Sequence, residues 1–469
     1  MKILLIRPVT PENKVINVVP PIGLGYLAAS LRKANYKEVG ILDCIKERLN
    51  FFDFSKKIEE FSPDIAGFQI FSHDLPSLSE NIRIVKKLNP KTIIIVGGPH
   101  PSGFPKQVLE DFSDVDFGFK GEAEIGFPLL VKNLKRKSFY NKIPGLIWRD
   151  QKRQIRVNQQ IFPENLDDLG IPAWDLLKPN EYPDAPQGIF FKNLPIAPIM
   201  VTRGCPFSCT FCAGHLISGK KIRLRSVNHV LSEIRLLHNE YGIKEIHILD
   251  DNFTFNGQYV KDFCHRLLKE NFKISWCCPN GVRLDRLDLE MLKLMKMSGC
   301  YYISVGIESG SDRILALMKK GLTREKIIKQ IGLIKSAGLD VNGFFILGYP
   351  GETKKEIEST IKFSQQLGLK RAAFYNFLPL PGTEIYNFLV EKEEINSEKA
   401  DWGSLFQADV PYSPESVSKE ELKNLQKKSY RQFYFRPMTL FFLLKEIKTL
   451  NQLKYLARRT LVYLGKNLV

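Results

Sequence analysis

Over the first 135 residues, short apolar runs alternate with segments whose apolar positions recur every three or four residues. "KILLIRP", "EVGILDC", "DIAGFQIFS" and "TIIIVGGP" read as strands buried on both faces, and "GLGYLAASLRKANY" and "SENIRIVKKLN" read as helices. Strands alternating with helices predict a parallel, doubly wound α/β sheet, which binds ligands at the C-terminal ends of its strands. Those ends fall at Pro8 to Thr10, Ser72 to Asp74, Gly97 to Ser102 and Gly121 to Glu124. The Gly97-Gly98-Pro99-His100 turn lets backbone approach a ligand closely, because glycine has no Cβ.

Residues 136–193 read as a connector. "IPGLIWRDQKRQIRVNQQ" suits a small hairpin, and the Pro-, Asp- and Asn-rich stretch after it suits an interdomain strap packed down by Trp174. From 194 to 390 the strand-then-helix pattern returns, with strands at "IAPIMVTRG", "EIHILDDNF", "ISWCCPNG", "YYISVGIES", "VNGFFILGYPG" and "RAAFYNFLPLPG". Six βα units predict a partial barrel with its chemistry at the C-terminal strand ends. Residues 391–469 read as a helical, basic C-terminal region.

Charge changes this picture only in that last region. Of a net charge of +17, the stretch from Ser416 onward carries twelve Lys and Arg against three Glu, interleaved with Phe, Tyr and Leu in "FYFRPMTLFFLL" and "LKYLARRTLVYL". Such helices suit either a layer packed on the main domain or a peripheral contact with an anionic membrane surface. Basic charge alone does not choose the partner, and nucleic acid is not expected. No run of eighteen apolar residues marks a membrane span, and the N-terminus reads as a strand rather than a signal peptide. Eight cysteines in 469 residues do not make a disulfide scaffold.

Candidate chemistry concentrates in "TRGCPFSCTFCAG", where Cys205, Cys209 and Cys212 are spaced C-x3-C-x2-C. Three thiolates this close can hold three irons of a cubane cluster and leave the fourth open. Zinc is the competing reading, but it usually takes four ligands, and only His215 lies near. Cys44, Cys264, Cys277, Cys278 and Cys300 lack ligand spacing, and the last three read as buried small hydrophobes in or beside strands.

The cysteine loop after the first barrel strand resembles the signature of the radical S-adenosylmethionine (SAM) superfamily. The resemblance implies a TIM-like (β/α)6 partial barrel with Cys205, Cys209 and Cys212 on a [4Fe-4S] cluster. It implies SAM contacts from Phe211, from Asp250 and Asp251 after the second strand, and from Glu308 and Ser309 after the fourth. It places Ile346 and Gly348 against the adenine.

The pieces "PPIGLGYLAASL", "PDIAGFQIFS", "IIIVGGPHPS" and "GFKGEAE" resemble the Rossmann-like cobalamin-binding domain that precedes many such cores. This implies cobalamin contacts at Thr10, Ser72, His73, Gly97, Gly98, His100, Gly121 and Glu122. One departure is visible. The Asp-x-His-x-x-Gly motif that supplies a histidine ligand to cobalt in some of these domains is missing after the first strand.

Together the resemblances imply reductive cleavage of SAM to a 5′-deoxyadenosyl radical, with methylation of an unactivated carbon of a lipid or secondary metabolite as the favoured outcome. Radical cyclisation, as in the anaerobic magnesium-protoporphyrin monomethyl ester cyclase, or other non-methylating radical chemistry on a tetrapyrrole or lipid is the alternative; a non-catalytic cobalamin sensor is the alternative of another class. A low-potential donor such as flavodoxin or ferredoxin is implied, as is a reducing, cytoplasmic setting; the basic C-terminal region adds the inner membrane face as a peripheral location.

Overall fold

The computed structural model describes residues 1–10, 18–182, 191–396, 400–406, 409–447, 450 and 452–454. Strands β1 (Ile3–Arg7), β2 (Val39–Asp43), β3 (Ile65–Gln69), β4 (Ile93–Gly97) and β5 (Phe117–Phe119) form a parallel sheet in the order β2-β1-β3-β4-β5. Alternation along β1 explains its unbroken apolar sequence. Leu4 and Ile6 pack with Leu42, Phe54 and Phe68 on one face, and Ile3 and Leu5 pack with Leu24, Ala28 and Phe127 on the other. The chain reverses its winding direction between β1 and β3, and such a switch point opens a crevice at the C-terminal strand ends.

The hairpin expected in the connector forms, as β6 (Leu146–Arg149) and β7 (Ile155–Val157), and it extends this same sheet antiparallel beyond β5. Trp174 of the strap is 2 % exposed and donates its indole N–H to Glu233 of the second domain at 2.9 Å.

The second sheet is parallel throughout, with β8 (Ile196–Ile199), β11 (Glu245–Ile248), β12 (Ser275–Val282), β13 (Cys300–Glu308), β14 (Asp340–Leu347) and β15 (Arg371–Asn376) in the order β15-β14-β13-β12-β11-β8. Helices such as Val227–Tyr241 and Lys354–Gln366 follow the strands, each started by a side-chain cap, Ser226 and Thr353. The run read as one strand, "IAPIMVTRG", is broken. After β8 the chain leaves the sheet, and β9 (Thr202–Arg203) pairs antiparallel with β10 (Arg223–Leu224). Asp250 explains the break, because its two carboxylate oxygens accept the N–H groups of Val201 and Thr202, each at 2.7 Å.

Helix Lys419–Tyr434 covers the free edge of β15. Gln426 Nε2 donates to Phe374 O at 2.9 Å, Tyr430 Oη accepts from Phe374 N at 3.1 Å, and Tyr434 Oη donates to Ala372 O at 2.7 Å. Residues four apart share one helix face, so these three side chains substitute for a missing neighbouring strand. This part of the basic region is therefore a packed layer. The adjoining helix Pro437–Glu446 leaves Phe441 61 % exposed. Most of "LKYLARRTLVYL" lies outside the described residues. No helix among the described residues is long and apolar enough to cross a membrane.

Candidate active site between the two sheets

The strand ends of the two sheets face each other. Glu122, in the loop after β5, pairs with both Arg203 (3.2 Å) and Arg223 of the second domain, and Glu124 pairs with Arg203 at 2.8 Å. All four side chains are almost fully buried. Gly103, after β4, approaches Pro381 so closely that an added Cβ would stand 2.5 Å from Pro381 O.

The cysteine loop lies at this junction. Cys205, Cys209 and Cys212 are half-buried free thiols. Burial pushes the Cys212 thiol up to about 11 and raises that of Cys205. The loop is tied down on three sides. Thr210 N donates to Met318 O at 3.1 Å, Thr210 Oγ1 and Tyr349 Oη lie 2.6 Å apart, and Thr210 O accepts from Ile385 N at 3.1 Å. Gly214 N donates to Cys212 Sγ at 3.4 Å. Arg283, at the end of β12, donates to Cys209 Sγ at 3.7 Å and stacks on Phe207 with its guanidinium carbon 3.5 Å from the ring centroid. Asp285 and Lys320 O hold Arg283 in place. Three half-buried thiols on one loop, a cationic donor and a backbone N–H suit an anionic thiolate cluster with one open position. Sequence reasoning missed Arg283, since nothing local to "GVRLDRLD" links it to a loop seventy residues earlier.

Several of the expected SAM residues come together beside this loop. Phe211 and Ile346 pack in one apolar cluster with Met318, Tyr349 and Phe377. Glu308 ends β13 in the left-handed region, at φ 65°, just after a register shift against β14. A non-glycine residue held there is strained, and such outliers collect at functional sites. Its Oε1 accepts from Lys320 Nζ at 2.7 Å, and Lys320, itself buried, stands 5.8 Å from the Phe211 ring centroid. Asp251 lies at the mouth of the cysteine loop, where an added Cβ on Gly214 would come within 3.6 Å of its Oδ1.

Other expected residues face elsewhere. Asp250 is turned to the backbone of Val201 and Thr202, and burial pushes its carboxyl up to about 7. Ser309 is fully buried with its hydroxyl 3.2 Å from Thr360 Oγ1. Gly348, at φ 78°, sits under Leu422 of the edge-covering helix. Its N–H and that of Tyr349 both donate to Glu352 Oε2, at 2.7 and 3.1 Å. Burial pushes the Glu352 carboxyl up to about 8.

In the first domain, Thr10 and Ser72 flank the β1/β3 switch point, and Thr10 Oγ1 donates to Asp74 at 2.8 Å across it. Asn81, unremarked in the sequence, holds the loop after β1 by accepting from Val9 N and donating to Val9 O. Gly97 has open space where a side chain would stand, whereas Gly98, at φ 105°, turns the chain over Ile70. His73 stacks on Phe71, with ring centroids 5.6 Å apart. His100 is 1 % exposed beneath Trp402 and Phe104; Ser72 Oγ lies 3.0 Å from its Nδ1, and its Nε2 has no partner. Burial lowers this imidazole to about 4, so it is neutral. Gly121, at φ 70°, donates its N–H to Ser102 Oγ at 2.9 Å, and Glu122 is committed to the domain interface described above. The open glycine and the switch-point hydroxyls fit a large polar cofactor such as cobalamin at this crevice.

A cavity of about 830 Å³ opens between the domains, lined by His73, Pro76 and Ser77 on one side and by Pro379, Tyr386 and Trp402 among others on the other. That volume suits a small-molecule ligand.

Comparison with known proteins agrees with this geometry. Residues 199–364 match the radical SAM superfamily and residues 13–131 match the B12 binding domain. The chain is 34 % identical over 444 residues to an uncharacterized methyltransferase of Pyrococcus horikoshii, covering 94 % of each chain. It is 30 % identical over 485 residues to the cytidylyl-2-hydroxyethylphosphonate methyltransferase of Streptomyces wedmorensis, covering 93 % of this chain and 90 % of that one. The fold matches that of the cobalamin-dependent S-adenosylmethionine radical enzyme OxsB with aqua-cobalamin bound, at a TM-score of 0.76, 19 % identity, and coverage of 98 % of this chain and 71 % of that one. The chain belongs to the B12-binding radical SAM enzymes. Its cofactors are a [4Fe-4S] cluster, SAM and cobalamin.

Proposed function

We propose that the protein is a cobalamin-dependent radical SAM methyltransferase acting on an unactivated carbon of a small molecule. The observation that carries this reading is the meeting of the two sets of strand ends, which sets the cobalamin crevice against the cysteine loop. When bound, the three cofactors together supply a substrate radical and a transferable methyl group. The similarity to two methyltransferases over nearly the whole chain supports the same outcome.

In this reading Cys205, Cys209 and Cys212 ligate the cluster, and Phe211 and Ile346 form the apolar wall beside the SAM adenine. Glu308 accepts hydrogen bonds from the ribose, its two oxygens suiting a diol, and Asp251 faces the SAM amino group. Thr10, Ser72 and Gly97 line the cobalamin crevice, and the strand-end loops exclude water from the junction. The substrate enters the cavity beside Tyr386 and Trp402. The exposed Phe441, together with Lys445, supports a lipid or membrane-associated substrate over a freely diffusing one.

The test is anaerobic incubation of the reconstituted enzyme with an extract and SAM carrying a deuterated methyl group. Mass spectrometry should find one extract component carrying the deuterated methyl, together with 5′-deoxyadenosine. Deoxyadenosine formation with no labelled component would refute methyl transfer.

A further inference from the structure

The floor of the second sheet, at the N-terminal ends of its strands, is unusually polar. Glu245 and His247 lie two residues apart on β11, so their side chains share a face. Cys277 is the register partner of His247 on β12 and stands beside it. All three are at most 1 % exposed, and one ligand atom from each lies within 4.8 Å of the others. Ile246, Ile248 and Cys278, on the opposite face, pack into the apolar layer under the helices. The chain thus spends three inward positions on groups that cost free energy to bury where aliphatic side chains would fill the space.

We infer that Glu245, His247 and Cys277 form a second metal site, for a divalent ion of zinc type, separate from the cluster loop. Carboxylate oxygen, imidazole nitrogen and thiolate sulfur are together the donor set of a borderline cation. Three further observations support it. His247 Nε2 and Glu245 Oε1 lie 2.9 Å apart, so imidazole and carboxylate already converge on one point. The carboxylate is oriented from behind, as ligating carboxylates are: Oε2 accepts from Lys192 N at 2.8 Å and Asn193 N at 2.7 Å, and Oε1 accepts from Tyr301 Oη at 2.6 Å. Tyr301 reaches it through a register shift, since Trp276 pairs with Cys300 and Cys277 with Tyr302. Such irregularities re-aim a side chain and are over-represented beside functional sites.

The three side chains supply three of the four positions such an ion takes, and a water would complete them. The site is enclosed at the floor of the sheet, away from the strand ends beside the cysteine loop, so the ion's role is structural. It crosslinks β11 to β12, and through Glu245 it fixes the chain entering β8. A buried site of this kind fills during folding and resists chelators afterwards. The test is elemental analysis of holoenzyme from cells grown with added zinc, after chelator treatment of the folded protein. About one zinc per chain should remain beside the cluster iron. The triple variant Cys205→Ser/Cys209→Ser/Cys212→Ser should keep that zinc while losing the iron, which separates the two sites. The nearly isosteric Cys277→Ser should lose the zinc, and Cys300→Ser, at a buried cysteine outside the cluster, should keep it. Refolding in cobalt should give a thiolate-to-metal absorption band that requires Cys277. Absence of zinc from the triple variant, or its retention in folded Cys277→Ser, would overturn the assignment.

Discussion

The guanidinium of Arg283 donates to Cys209 Sγ at 3.7 Å while its carbon stands 3.5 Å over the Phe207 ring centroid, so one side chain ties two residues of the cysteine loop. Asp285 and the Lys320 carbonyl hold it in place.

Replacing Arg283 by glutamine removes a cation beside a cluster that becomes more negative on reduction. The reduction potential should fall by on the order of tens of millivolts, since about 59 mV corresponds to a tenfold change for one electron. Arg283→Lys should recover only part of this, because lysine lacks the planar stack and the fork. Potentiometric titration followed by electron paramagnetic resonance measures both variants.

Glu308 pairs with buried Lys320, and in the proposed reading it also receives the SAM ribose. Glu308→Gln should lower stability by about 3 kcal/mol by stranding the lysine, and raise the KM for SAM. Glu308→Gln combined with Lys320→Met should regain thermal stability without regaining SAM affinity. Recovery of both would reduce Glu308 to a structural residue.

Glu352 is raised to about 8 by burial, well above an unfolded glutamate near 4.3. The folded chain therefore holds the proton more tightly. The resulting stability is fully present below about pH 4 and is lost as pH rises through about 8. Glu352→Gln mimics the protonated form, and its amide oxygen can still accept from Gly348 and Tyr349. Its melting temperature should decline less between pH 5 and 8 than that of the wild type; an equal decline would contradict the assignment.

Glu122 joins the two domains through Arg203 and Arg223. Glu122→Gln leaves buried cations undercompensated at the interface, where losing one partner of a buried pair costs about 3–5 kcal/mol. Calorimetry should show one transition splitting toward two, with weaker cobalamin retention on gel filtration.

The strands were legible because burial on both faces leaves an unbroken apolar run, as in Ile3 to Ile6. The cysteine loop was legible because its C-x3-C-x2-C spacing lies within eight consecutive residues and needs no distant partner to be seen. Pairings between distant segments were not. Nothing local told that β6 and β7 would extend the first sheet, or that Gln426, Tyr430 and Tyr434 would close the edge of β15, although their four-residue spacing was visible. Asp250 and Ser309 carried plausible chemistry, yet their orientation depends on which way each side chain leaves its strand end. Glu122 looked like a ligand contact because its arginine partners lie eighty and a hundred residues away.

In the proposed reading Cys205, Cys209 and Cys212 hold a cluster that cleaves SAM beside bound cobalamin. Anaerobically reconstituted protein, assayed for iron, sulfide and 5′-deoxyadenosine, tests it most directly. About four irons per chain are expected, with deoxyadenosine formation by the wild type and loss of both in Cys209→Ala. Wild-type protein that binds no iron and leaves SAM intact, or a Cys209→Ala variant that still produces deoxyadenosine, would contradict it.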